Sequence, residues 1–269
     1  MSASQQGFMG LCKAAVAACL ALALGGAQAT VQFDPTALGL GGSAFETSTL
    51  TGGEVSRIDF GAPDAQGNSL WQEHGFLIVD TAQQAGGMLT PTGLGSDYTL
   101  YIQFDLLGVQ PAAAAGYTTQ ATVSMYAVPG VSSFGFDSQG IAVATHAATP
   151  ILVASMSGAQ VFTYSYPDPA FGGAPTLGAQ LGGVLAPVAG NSFLSSAVQV
   201  SGVFYHPFAG LGFINGGASV LIQGGHDTLS LSAVPEPATP ALWLGAALLL
   251  GLGRRRWRAP LAAAGRASA

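Results

Sequence analysis

The chain has 269 residues, 49% of them apolar and only 7% charged, with 39 Gly and 15 Pro and a net charge of −6. The charge is unevenly placed: residues 1–29 carry Lys13 alone, residues 30–233 carry twelve carboxylates against Arg57, and residues 234–269 carry Glu236 against five Arg. So much apolar content excludes intrinsic disorder, and a body without a basic patch excludes nucleic acid as a partner.

In chain order the first element is a signal helix. A cationic start is followed by an apolar run from Ala14 to Leu24, a Gly25-Gly26 break and Ala27-Gln28-Ala29. That order reads as a secretory signal peptide over residues 1–29, with signal peptidase as its partner, Ala27 and Ala29 as the cleavage-site residues and Thr30 as the new N-terminus. A retained anchor is disfavoured, because eleven apolar residues fall short of the roughly 17 to 25 of a spanning helix. A lipoprotein site at Cys19 would leave almost no apolar stretch before it. Cys12 and Cys19 both lie in this segment, so the mature chain is expected to have neither a disulfide nor a thiolate metal site. Its stability must come from burial across residues 30–233, which is enough for one sizeable core.

Residues 30–233 show repeated alternation at period two and no sustained helical period. Tyr98 to Leu107 places Leu100, Ile102, Phe104 and Leu106 on one face. Thr118 to Val128 places Ala121, Val123, Met125 and Ala127 on one face, with Thr122, Ser124 and Tyr126 opposite. Further strands are expected at Val55–Phe60, Phe76–Asp80, Ile141–Thr145, Ile151–Met156, Gln160–Tyr166, Ala197–His206, Ala218–Gln223 and Thr228–Ala233. Pro129-Gly130, Gly172-Gly173, Gly216-Gly217 and Gly224-Gly225 serve as breakers, and Tyr166 to Gly190 reads as a long loop or weak helix. The expectation is an all-β protein, an antiparallel β-sandwich of jelly-roll type, flanked by the signal helix and a C-terminal transmembrane helix. Its solvent face would carry Thr, Ser, Gln and Gly, groups that hydrogen-bond sugars without counterions. Trp71, Tyr101, Tyr126, Tyr164 and Tyr205 are the candidate platforms for sugar rings, though aromatics at strand spacing are mostly core.

No catalytic signature stands out. Glu73-His74 is conceivable as an acid/base pair but has no assignable third partner, and reads as a solvated strand edge. His226-Asp227, after Gly224-Gly225, reads as a hairpin turn. His74, His146, His206 and His226 lack the close spacings of a zinc site, and the aspartates form no calcium loop, leaving only an irregular calcium site at a strand end open. No nucleophile elbow, P-loop or dinucleotide fingerprint occurs. The expectation is therefore no enzyme, no catalytic residue, no metal ligand and no cofactor.

At the C-terminal end, Val234-Pro235-Glu236-Pro237 is followed by an uncharged stretch from Ala238 to Gly253, then Arg254-Arg255-Arg256-Trp257-Arg258. The prolines favour an extended, exposed entry. The apolar stretch suits a short span of the inner membrane, with the arginines kept cytoplasmic by the positive-inside bias. This tripartite pattern over residues 234–258 resembles the PEP-CTERM sorting signal of Gram-negative bacteria; residues 259–269 form a short tail. The resemblance implies recognition by an exosortase, an integral membrane cysteine protease. It makes Pro235, Glu236 and Pro237 the sorting motif and Arg254, Arg255, Arg256 and Arg258 the membrane-retention cluster. Phe33-Asp34-Pro35-Thr36-Ala37, Tyr98-Thr99-Leu100-Tyr101 and Phe204-Tyr205-His206-Pro207-Phe208 are loosely similar to the flocculation-associated group of such proteins. The expected function is that of an exported protein, transiently anchored in the inner membrane and then placed at the cell surface or in the extracellular matrix. Its role there would be structural or adhesive, with exopolysaccharide in biofilm or floc formation. A secreted carbohydrate-binding module is the alternative, and an extracellular hydrolase the third reading.

Overall fold

Long alternating strands dominate the chain, and each apolar face finds the same interior. The computed structural model describes residues 31–84, 87–112, 115–168, 174–207 and 211–234. In order, the strands are β1 (Val31–Phe33), β2 (Phe45–Thr47), β3 (Thr49–Phe60), β4 (Ser69–Gln84), β5 (Gly87–Leu89), β6 (Tyr98–Gln110) and β7 (Gly116–Pro129). They continue as β8 (Ser133–Phe136), β9 (Ala142–Thr145), β10 (Ile151–Asp168), β11 (Ala174–Pro187), β12 (Val198–Pro207), β13 (Gly212–Ile214) and β14 (Ser219–Ala233). Pro35–Leu38 forms a 3-10 turn, capped by Asp34 and ended by Gly39 at φ 69°.

The body is a closed barrel, which corrects the expected sandwich. Eight antiparallel strands follow one another around it as β3-β4-β6-β7-β10-β11-β12-β14. The ring is completed by β14 pairing back onto β3, from Ser219 opposite Asp59 to Ser230 opposite Thr49. Alternation cannot distinguish the two architectures, because a sandwich and a barrel both ask each strand for one apolar face. Closure is decided by long-range register, and strands tilted around an eight-stranded barrel run longer than the usual strand of about 5–6 residues. Two pairs of expected short strands are accordingly continuous: β10 runs through an irregularity between Ser157 and Gln160, and β14 through another between Gly224 and Asp227. The segment read as a loop or weak helix contains β11. The signal helix and the C-terminal transmembrane helix lie outside the described residues, and among the described residues no helix is long and apolar enough to cross a membrane.

The interior holds the expected faces. Leu100, Ile102, Phe104 and Leu106 from β6 and Val123, Met125 and Ala127 from β7 join Leu50, Leu77, Val200 and Leu229 in one buried cluster. The β1–β2 ribbon packs at the end of the barrel marked by Leu50, Ala82 and Leu231, where Phe33 stacks on Phe45 and meets Phe193 edge-on. Ser48 ties the ribbon down, accepting from Leu231 N and donating to Gln83 O. On the outer wall the β8–β9 hairpin brings Phe134 against Phe76 and Tyr101, while His146 stacks on Tyr101. This small cluster buries Val55, Phe76 and Tyr101 although they face away from the barrel interior.

Gly75 on β4 is opposite Ser56 of β3. A Cβ there would lie 2.3 Å from Ser56 Cβ and 2.8 Å from Phe104 Cζ. The missing side chain is thus what lets β3 and β6 fill the interior on either side of β4. Gly75→Ala should cost about 1–3 kcal/mol by overpacking, seen as a lower urea midpoint with an unchanged slope. An unchanged midpoint would show that the interior yields at this point.

Candidate functional site

Five polar side chains point into this apolar barrel at one place. Glu54 and Ser56 come from β3, Glu73 from β4, His206 from β12 and Asp227 from β14. Period two explains Glu54 and Ser56, since they share a face with Leu50 and Ile58. Asp227 needs more: on β14 Val220 and Ile222 face inward, and strict alternation would next admit Gly224 and His226. Between Gly224 and Asp227 the strand spends one residue more than β3 does, with Gly224 at φ 90° and Gly225 at φ 100°. This glycine bulge turns the strand over, so that Asp227, Leu229 and Leu231 face the interior instead.

His206 Nε2 lies 3.0 Å from Glu54 Oε2 and 3.6 Å from Asp227 Oδ1. Ser56 Oγ contacts Glu54 Oε1 and lies 2.8 Å from Glu73 Oε1. A serine has one proton to give, so one of these contacts needs a proton held on a carboxyl. Burial pushes the Glu73 carboxyl well above its ordinary value of 4.5, and the negative charge of Glu54 pushes it the same way, against the Ser56 hydrogen bond. Burial alone would depress His206. The hydrogen bond to Glu54 and the charges of Glu54 and Asp227 outweigh it and leave the imidazole raised above 6.5. Glu54, Glu73 and His206 also border an interior cavity of about 50 Å³ whose other walls include Leu77, Ile102, Phe104 and Leu229. At roughly 10–15 Å³ per water centre, that is room for a few waters and not for a sugar. Donor atoms of Glu54, His206 and Asp227 all lie within 4.8 Å of one another, a spacing open to a metal ion.

A second feature lies on the outer wall, where strand pairing lines up outward side chains in rows. Arg57, His74, Asp105 and Thr122 are successive partners across β3, β4, β6 and β7, and Asp59, Gln72, Leu107 and Gln120 form the next row. They line a groove of about 470 Å³ bounded by Ile141 and Ala142 beside the hairpin. Its polar side chains are paired internally. Arg57 binds Asp59 at 2.8 Å and donates to Gln139 O, and His74 Nδ1 meets Asp105 Oδ1 at 2.6 Å. Burial would raise the Asp59 carboxyl, but hydrogen bonds from Arg57 and Ser219 hold it below the ordinary 3.8. The following row is apolar: Leu70, Val109, Tyr117 and Phe162 are successive partners from β4 to β10. Leu70 is 69% exposed, Tyr117 41% and Phe162 49%.

The sequence-derived candidates fare unequally. Glu73-His74 is not a solvated strand edge but the middle of β4, its two residues on opposite faces. His226-Asp227 is a bulge within β14, not a hairpin turn. Trp71 and Tyr101 are buried, and Tyr126 stacks on Tyr101; the side chains of Tyr164 and Tyr205 lie outside the described residues, as do Ala27, Ala29, Pro235, Glu236, Pro237, Arg254, Arg255, Arg256 and Arg258. The interior cluster escaped sequence reading because His206 and Glu54 are 152 residues apart. Tyr117 escaped because a register shift after Leu107 leaves Thr119 unpaired and puts Tyr117 outside where alternation alone would bury it.

The raised groups set a pH dependence whose sign is fixed. The unfolded chain releases the Glu73 proton near 4.5 and the His206 proton near 6.5, while the native state keeps both to higher pH. Their contribution is therefore complete below those values and is lost as pH rises through the native ones. In the chain stripped of metal, the urea midpoint should fall as pH rises from about 5 to about 9, with a shallower fall in Glu73→Gln. A wild-type midpoint that rises over this range would contradict the assignment.

No family model, curated protein or solved structure matches the chain.

Proposed function

We propose that the chain is an exported surface or matrix protein, carried out by its signal peptide and processed by an exosortase at Pro235-Glu236-Pro237. Its barrel would act structurally or adhesively by holding exopolysaccharide on the outer face of β4, β6, β7 and β10. The observation that carries this reading is the row Leu70, Val109, Tyr117 and Phe162 beside the polar groove, with Leu70, Tyr117 and Phe162 exposed. A sugar ring presents a C–H face and a rim of hydroxyls. Aromatic and aliphatic side chains fit the face, while amides, carboxylates and imidazole fit the rim. With neighbouring strands about 4.8 Å apart, a row across four of them spans roughly 14 Å, enough for a run of linked sugars.

The internal pairing of Arg57 with Asp59 and of His74 with Asp105 argues for a polymer held by hydrogen bonds and ring contacts, not by counterions. Binding is also favoured over hydrolysis. Glycosidases set two carboxyls on either side of the bond, about 5 Å or more apart, whereas Glu54 and Glu73 share one serine hydroxyl beside a cavity of about 50 Å³.

Co-sedimentation of the mature chain with native exopolysaccharide tests the surface. Each aromatic contact is worth about 0.5–1.5 kcal/mol, so Tyr117→Ala with Phe162→Ala should weaken association roughly tenfold. Monovalent salt should have little effect, since screening over about 8–10 Å acts on charge contacts; steep loss with salt in the presence of chelator would overturn the reading. Processing has its own measurement. Mass spectrometry of the exported form should find Thr30 first and no peptide beyond Pro237, and Glu236→Ala should lower export. Recovery of Arg254 to Arg258 outside the cell would defeat the sorting assignment.

A further inference from the structure

We propose that Glu54, His206 and Asp227 form a divalent transition-metal site inside the barrel, with Glu73 facing the ion across the adjoining cavity. The three residues are 3%, 5% and 0% exposed, so the site is enclosed by protein. Nε2 of His206 stands 3.0 Å and 3.6 Å from one oxygen of each carboxylate. Bonds of about 2.0–2.2 Å at tetrahedral angles place ligand atoms roughly 3.3 Å apart. The two edges from His206 already have about that spacing, and the third, between Glu54 and Asp227, is within 4.8 Å.

The cavity beside the cluster is a second observation. Among the described residues its lining is apolar except where Glu54, Glu73 and His206 border it. Its volume of about 50 Å³ accommodates an ion's remaining water ligands, at roughly 10–15 Å³ for each water centre. Charge points the same way: Glu54 and Asp227 face one imidazole in a low-dielectric interior, and a divalent cation neutralises both at once.

The donor set selects the metal. One imidazole nitrogen with carboxylate oxygens suits Zn²⁺, with Mn²⁺ weaker in the usual order of divalent affinities. Ca²⁺ asks for 6–8 oxygens at about 2.3–2.6 Å, more than this cluster supplies. The site is distinct from the outer groove and does not rest on the polysaccharide reading.

The test begins with the chain purified without chelator, its metal content measured by mass spectrometry. It is then stripped and titrated with Zn²⁺, Mn²⁺, Ca²⁺ and Mg²⁺ while thermal unfolding is followed. One equivalent of Zn²⁺ should bind and raise the unfolding midpoint, with Mn²⁺ weaker and Ca²⁺ and Mg²⁺ without effect at equal concentration. His206→Gln and Asp227→Asn should each weaken Zn²⁺ binding at least tenfold, while His146→Gln, on the outer wall, should not. Where a variant fails to fold, X-ray absorption of the Zn²⁺-loaded wild-type chain decides: one nitrogen with the remaining ligands oxygen supports the site, and two or more nitrogens overturn it. Absence of binding to the stripped wild-type chain, or wild-type affinity in folded His206→Gln and Asp227→Asn, would also overturn it.

Discussion

The seam between β14 and β3 makes the molecule a barrel. Every other neighbouring pair in the ring follows chain order, and each could exist in an open, curled sheet. Only the pairing of Ser219 through Ser230 with Asp59 through Thr49 joins the last barrel strand to the first. Side chains reinforce it: Arg57 Nη2 donates to Ser219 Oγ at 3.3 Å, and Ser219 Oγ in turn donates to Asp59. An open seam would leave two long edges, with unpaired backbone groups ready to pair with other chains. It would also dissolve the interior, because Glu54 and Asp227 meet across this seam and nowhere else.

Closure creates a demand for filling. An eight-stranded ring encloses a space that side chains can just occupy, and this chain occupies it with leucine, valine and aromatic residues, with glycines such as Gly75 and Gly108 where two neighbours claim the same volume. Against that background the cluster around His206 is costly, since buried charge must be paired, protonated or bound to an ion. The glycine bulge in β14 serves both needs. It brings Asp227 to the cluster, and by reversing the strand's faces it keeps Leu229 and Leu231 in the core.

Much of this was legible in the sequence, because alternation is local. The inward faces of β6 and β7 can be read directly from Leu100 to Leu106 and from Ala121 to Ala127. Bulges defeated the same logic elsewhere, since one extra residue reverses the parity of everything beyond it: Tyr117 and Asp227 each sit just past such a point. β11 was hidden by composition, its Gly, Ala and Pro residues being poor strand formers on their own and held in place by β10 and β12. The site could not be read at all, because Glu54 and His206 are neighbours only through ring closure, a long-range property that no window of sequence contains. The sandwich expectation failed for the same reason.

β1 and the last residues of β14 lie at the same pole, joined through Ser48 and Leu231, while Leu70, Val109, Tyr117 and Phe162 lie toward the other, near the start of β4 and β7 and the end of β6. Anything joined to the barrel at β1 or at the end of β14 is therefore joined near one pole, and the row on the outer wall lies nearer the other.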